Sequence, residues 1–132
     1  MYTAKTHTTG GREDGASPNS DGRLGVELSL PDAARIGANP EQLFAPDCSA
    51  CHESAIGLAV RRRKITLPVD LAIDAEVDLH LAEGDYLLSA RLNIRLPAIK
   101  REVAQTLKDE AHQNCPHSQA TRGSLDIAID LV

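Results

Sequence analysis

Hydrophobic residues recur along this chain with two periods, and each change of period marks an element. Leu24, Val26, Leu28 and Leu30 alternate with polar or small residues, which predicts a strand with one buried face, closed by Pro31. The threonine-rich segment 2–9 is expected to form an edge strand, and the glycine-rich segment 10–22 a loop. At "NPEQ" (39–42) the period becomes helical. Asn39 can cap, Pro40 suits the first helical position, and Gln42 stands where a capping-box partner would. The helix is expected to run to about Arg63. Phe44, Cys48, Cys51, Ala55 and Leu58 lie three or four residues apart, so they share one face, and both cysteines should point inward. Pro46 either kinks this helix or delays its regular part to about Ala45.

After Pro68 the period drops to two. Val69, Leu71, Ile73, Ala75, Val77 and Leu79 face one way, with Asp70, Asp74, Glu76 and Asp78 on the other. A turn containing Gly84 leads to a partner strand with Tyr86, Leu88, Ala90, Leu92, Ile94 and Leu96 inward, and Arg91 and Arg95 outward. Two such runs predict a hairpin whose acidic and basic outer faces pair across the strands. Ile99, Val103, Leu107 and Ala111 mark an amphipathic helix, "NCPHS" breaks it, and Leu125, Ile127, Ile129 and Leu131 form a last strand. The order is strand, long helix, hairpin, helix, strand, without βαβ alternation. It predicts an α+β class with a mainly antiparallel sheet. No internal repeat or linker divides the chain, so residues 1–132 are expected to be a single domain.

Composition narrows the function classes. Three aromatic residues leave a core of Leu, Ile, Val and Ala. Nineteen acidic against 14 basic residues give a net charge of −5, which argues against a nucleic-acid partner, since phosphate contacts need a basic surface. The one basic run, Arg61-Arg62-Arg63-Lys64, reads as a solvated helix end where cations complement the helix dipole. No segment has the length of a membrane span, and the N-terminal residues lack the apolar stretch of a secretory signal. With three cysteines and no disulfide-dense spacing, a reducing cytoplasm is the expected location.

"CSACH" (48–52) is the chemical question. Cys48-x-x-Cys51-His52 matches the attachment pattern of a c-type haem, but the chain holds no methionine beyond Met1 as a second axial ligand. A zinc site could draw on Cys48, Cys51, Cys115 and either His52 or His117, without the second CxxC or HxxxH pair that makes such sites distinctive. On these residues alone the simpler reading is that both cysteines are small buried hydrophobes, as free cysteines often are. The residues of this motif leave these alternatives open.

Four segments in order, "YTAKTHTTGGR", "SDGRLGVELSLP", "NPEQLFAPDCSAC" and "AHQNCPHSQATRGSLDI", together resemble the organic hydroperoxide resistance branch of the OsmC/Ohr family. With the hairpin they cover nearly the whole chain. The resemblance implies an OsmC-like α+β fold, with mainly antiparallel sheets around a long central helix in an intertwined homodimer. It implies a thiol peroxidase that reduces alkyl or fatty-acid hydroperoxides to alcohols. By motif position Cys51 corresponds to the reactive cysteine, Cys115 to the resolving one, and Arg12 and Glu41 to the charged pair that activates the thiol. It implies no bound cofactor or metal, and an external dithiol reductant, a dihydrolipoyl group on a protein. The alternative is a metal-binding or redox-sensing OsmC-like protein without efficient turnover.

The chemistry asks for these residue types. The thiolate is the nucleophile, and a guanidinium beside it stabilises both that anion and charge developing on peroxide oxygen. A carboxylate can hold the guanidinium through a bidentate pair. A second thiol condenses with the sulfenic acid and protects it from over-oxidation. The sequence departs from the family pattern at Pro46, which replaces a small helix-former, and at Asp47, Cys48, His52 and His117, which replace small, apolar or aromatic residues. Weaker binding of bulky hydrophobic peroxides is the expected consequence, and Cys48 is expected to line the pocket as a bystander. The segment 31–38 is shorter than usual, which predicts an altered lid.

Overall fold

Asn39 and Gln42 cap each other. The Asn39 backbone N–H donates to Gln42 Oε1 and the Gln42 N–H to Asn39 Oδ1, both at 2.9 Å, which satisfies two otherwise orphaned donors at a helix start. A computed structural model of the chain describes residues 1–132. In it the capped helix, α2, runs Pro40–Arg62 with Pro46 inside. It therefore starts before Ala45. Proline withholds one backbone hydrogen bond near the helix start, and neighbouring turns keep the element continuous.

The other elements are α1 (Gly11–Asp14), β1 (Ala16–Pro18), β2 (Gly25–Glu27), β3 (Ala72–Ala82), β4 (Asp85–Arg95), α3 (Arg101–Asn114), α4 (Pro116–Thr121) and β5 (Asp126–Leu131). Contacts are densest within two units, Met1–Leu43 and Phe44–Val132.

In the first unit β1 and β2 pair antiparallel, Ala16 opposite Glu27. The edge strand expected at 2–9 is reduced to isolated bridges of Thr6 with Asn19 and Thr9 with Ala16. The segment expected as loop holds α1 and β1 instead. The glycines explain this. Gly10 takes a left-handed φ of 75° before α1, and at Gly15 a Cβ would collide with the carbonyl oxygens of Thr9 and Gly11. These residues fold the chain back on itself and leave Arg12 on the intervening turn of helix.

In the second unit β3 and β4 form the expected hairpin, closed by Glu83 and Gly84 with φ of 51° and 85°. Positive φ at both central positions is the turn that matches strand twist. Arg91 pairs with Glu76 and Asp78, and Arg95 with Asp74 at 2.8 Å, as the charge pattern predicts. β5 adds to β4 in parallel, giving sheet order β3-β4-β5. The sheet is thus mixed, and β4–α3–α4–β5 is a crossover between parallel strands, where the sequence reading saw no βαβ unit. The class remains α+β.

The core of this unit joins Ala55, Ile56, Ala59 and Val60 of α2 to Ile94, Leu96, Ala104, Leu107, Ala111 and Cys115. Fully buried residues such as Ile56, Val60 and Leu107 each contribute about 1.5–3 kcal/mol from transfer out of water. The buried face of α2 is therefore centred on residues 48, 52, 55, 56, 59 and 60. Leu58, expected inward, is exposed. The basic run ends α2 as expected, and Arg62 and Arg63 also reach Glu110 on α3, at 3.8 and 3.0 Å.

Candidate active site

Arg12 and Glu41 come together in the first unit. Arg12 Nη2 donates to Glu41 Oε1 at 3.1 Å and Nη1 to Oε2 at 3.4 Å. The planar guanidinium meets the carboxylate edge to edge, which fixes its orientation as well as its position. Glu41 belongs to the first turn of α2, where a carboxylate also complements the helix dipole. The carboxylate is largely covered, whereas the guanidinium keeps 42% of its side-chain surface exposed. It is a cation held in place yet open to an anion.

Cys51 and Cys115 come together in the second unit. Their Sγ atoms are 2.6 Å apart, about half an ångström beyond a disulfide bond length. Both cysteines are free. Cys51 rides on α2 and is half-buried. Cys115 is buried and joins α3 to α4, its N–H bonded to the Ala111 carbonyl at 2.8 Å. Pro116 forces the preceding residue into an extended conformation, and Cys115 has ψ of 123°. That turn stops α3 and pins the second sulfur against the first. α4, which the sequence reading left as a break, starts at Pro116 as a proline at the first helical position does.

Burial pushes the Cys51 thiol up to about 11, the Cys115 thiol adds to it, the backbone N–H of His117 acts in the opposite direction, and Asp47 raises it further. No positive charge is among these neighbours. Cys48 is buried and also pushed up to about 11, chiefly by desolvation and then by Asp47. It pairs with neither sulfur and fills space as a small apolar group. His52 is fully buried, and both ring nitrogens lack a partner. Burial lowers its pKa to about 4, with His112 and Lys108 adding to that.

Cys48-x-x-Cys51-His52 does not assemble as a ligand set. The metal-ligating side chains that do gather are Cys51, Cys115 and His117, with donor atoms all within 4.8 Å of one another. His117 Nε2 faces Asp47 Oδ1 at 3.1 Å. Sequence reasoning singled out both residues as departures but missed that they meet. They lie on different helices, and no local pattern links them.

Comparisons with known proteins place the chain in a family. Residues 31–130 match the family model described as OsmC-like protein. The chain is 39% identical over 135 residues to the organic hydroperoxide resistance protein of Xanthomonas axonopodis pv. citri, covering 99% of this chain and 94% of that one. The chain belongs to the organic hydroperoxide resistance branch of the OsmC family. The crystal structure of the organic hydroperoxide resistance protein OhrB of Bacillus subtilis superposes with a TM-score of 0.92 at 35% identity, covering 99% of this chain and 98% of that one. That of an organic hydroperoxide resistance protein from Elizabethkingia anophelis gives 0.91 at 35% identity, covering 99% and 96%. Near-complete coverage in both directions makes this OsmC-family chain comparable with its relatives from end to end, including "GGR" upstream of the matched family model.

Proposed function

We propose that this chain is a cysteine-based peroxidase that reduces organic hydroperoxides to alcohols. The observation that carries the reading is the approach of Cys51 and Cys115 Sγ to 2.6 Å, within the family that the comparisons establish. Cys51 thiolate attacks the distal peroxide oxygen. An S–O bond forms, the O–O bond breaks, and the departing alkoxide takes a proton to leave as the alcohol. Cys115 sulfur then attacks the Cys51 sulfenic acid, forming the disulfide and releasing water. A dithiol restores both thiols by exchange, giving up two electrons and two protons. A dihydrolipoyl group on a protein is the proposed reductant, and no bound cofactor takes part.

Arg12 is the proposed source of the positive charge that Cys51 requires, with Glu41 holding it. Their bidentate pair supports the role, because an oriented guanidinium needs no reorganisation when charge develops. A homodimer in the cytoplasm is the proposed setting. No helix is long and apolar enough to cross a membrane. The test is dithiol-dependent consumption of cumene hydroperoxide. Wild type should turn over with dihydrolipoamide, and Cys51→Ser should lose essentially all of the rate. Equal rates in the two proteins would remove the reading.

A further inference from the structure

His117 presents an unusual ring. Its Nδ1 is buried without a hydrogen-bond partner, while Nε2 lies 3.1 Å from Asp47 Oδ1. A carboxylate close to Nε2 favours the imidazole tautomer with its proton there and its lone pair on Nδ1. A carboxylate beside the remote nitrogen is a common means of orienting a metal-ligating histidine. His117 belongs to the same cluster as the two sulfurs, a ring nitrogen and both Sγ atoms lying within 4.8 Å of one another.

We propose that Cys51, Cys115 and His117 form a Cys2His site for a borderline divalent cation of the zinc type in the reduced chain, with Asp47 orienting the imidazole. Thiolate and imidazole are the donors such ions prefer. In tetrahedral coordination neighbouring donors stand about 3.5–3.8 Å apart. The sulfurs must therefore open from 2.6 Å, which binding requires of the side chains on α2 and at the α3–α4 junction. Cys115 is held at the junction of α3 and α4, so two donors come from one short segment and the third from α2. The side chains of His117 and Asp47 keep 45% and 46% of their surface exposed. That leaves an entry path and a fourth position for water.

The site does not rest on peroxidase activity, although it uses the same sulfurs. Binding displaces both thiol protons and occupies both sulfurs as ligands, so a loaded chain has no free nucleophile. Joining Cys51 to Cys115 as a disulfide removes two donors at once and releases the ion. The two electrons pass to the oxidant, a diazene or a hydroperoxide, which takes its protons from solvent because the metal-bound thiolates carry none. Metal and disulfide are thus exclusive occupants of one place.

Titration of the reduced, full-length chain with Co2+ under anaerobic conditions tests this without measuring turnover. One Co2+ per chain should bind with the intense visible bands of tetrahedral coordination and thiolate-to-metal charge transfer. Zn2+ should displace it. Oxidation with diamide, which needs no peroxide chemistry, should abolish binding. His117→Phe, which keeps the ring's bulk without its nitrogen, should weaken binding at least tenfold, and Asp47→Asn by about 10–100-fold. Cys48→Ala should change it less than twofold. Absence of a tetrahedral Co2+ spectrum at millimolar metal, undiminished affinity in His117→Phe, or loss of binding in Cys48→Ala would overturn the site.

Discussion

A thiol pushed up to about 11 by burial and its neighbouring sulfur is almost wholly protonated at neutral pH, so the proposed nucleophile at position 51 depends on a cation that sulfur, amide and carboxylate neighbours do not supply. Arg12 is the residue proposed for that task. In the wild type, alkylation of Cys51 by iodoacetamide should rise with pH through a midpoint well below 11. Arg12→Ala should move that midpoint upward by at least about one unit, equivalent to about 1.4 kcal/mol of lost thiolate stabilisation. Its kcat/KM for cumene hydroperoxide should fall by about 10²–10³, as for loss of one preorganised donor. An unchanged pH profile would assign the activation to another group. At this scale the catalytic candidates were legible as motif residues. The meeting of Asp47 with His117 was not, since contacts between distant helices leave no spacing in the sequence.

The face that α2 turns inward was only partly legible. Spacing by three and four relates Leu58 to Cys51 as well as it relates Ile56 to His52, and packing against α3 and β4 chooses the second set. The choice buries His52, whose ring lacks partners and whose pKa falls to about 4. The consequence for stability follows from its sign. Above pH 6.5 the ring is neutral in both folded and unfolded chains. As pH falls below 6.5 the unfolded chain gains a proton that the folded chain refuses, and stability drops until pH reaches about 4. The full loss is about 3 kcal/mol. His52→Leu should therefore be more stable than wild type, with a difference in Tm that widens between pH 7 and pH 4. A pH-independent difference would show that His52 does not titrate this way.

The hairpin extends beyond the cover that one chain supplies. Ala90, Leu92 and Ile94 are buried, but Leu79, Leu81, Tyr86 and Leu88, which continue the same face by register, are 40%, 65%, 70% and 38% exposed. The sequence reading placed Leu79, Tyr86 and Leu88 inward on alternation alone. A contiguous apolar surface of this kind marks an interaction site, and the proposed homodimer would cover it. Sedimentation equilibrium should give a dimer for wild type and a monomer for Leu81→Lys combined with Leu88→Lys. A variant that remains dimeric would place the subunit interface elsewhere.

By itself the sequence determined the elements whose causes are local. Reciprocal capping by Asn39 and Gln42, the turn at Glu83-Gly84, and period-two alternation in β3, β4 and β5 depend on side chains and φ values within a few residues. Only the tertiary structure decided that β5 pairs parallel with β4, that glycines at 10 and 15 fold a helical turn into an apparent loop, and that Cys51, Cys115 and His117 share one place. Those outcomes depend on how distant segments close on one another, where many pairings satisfy the same hydrophobic pattern and packing selects among them.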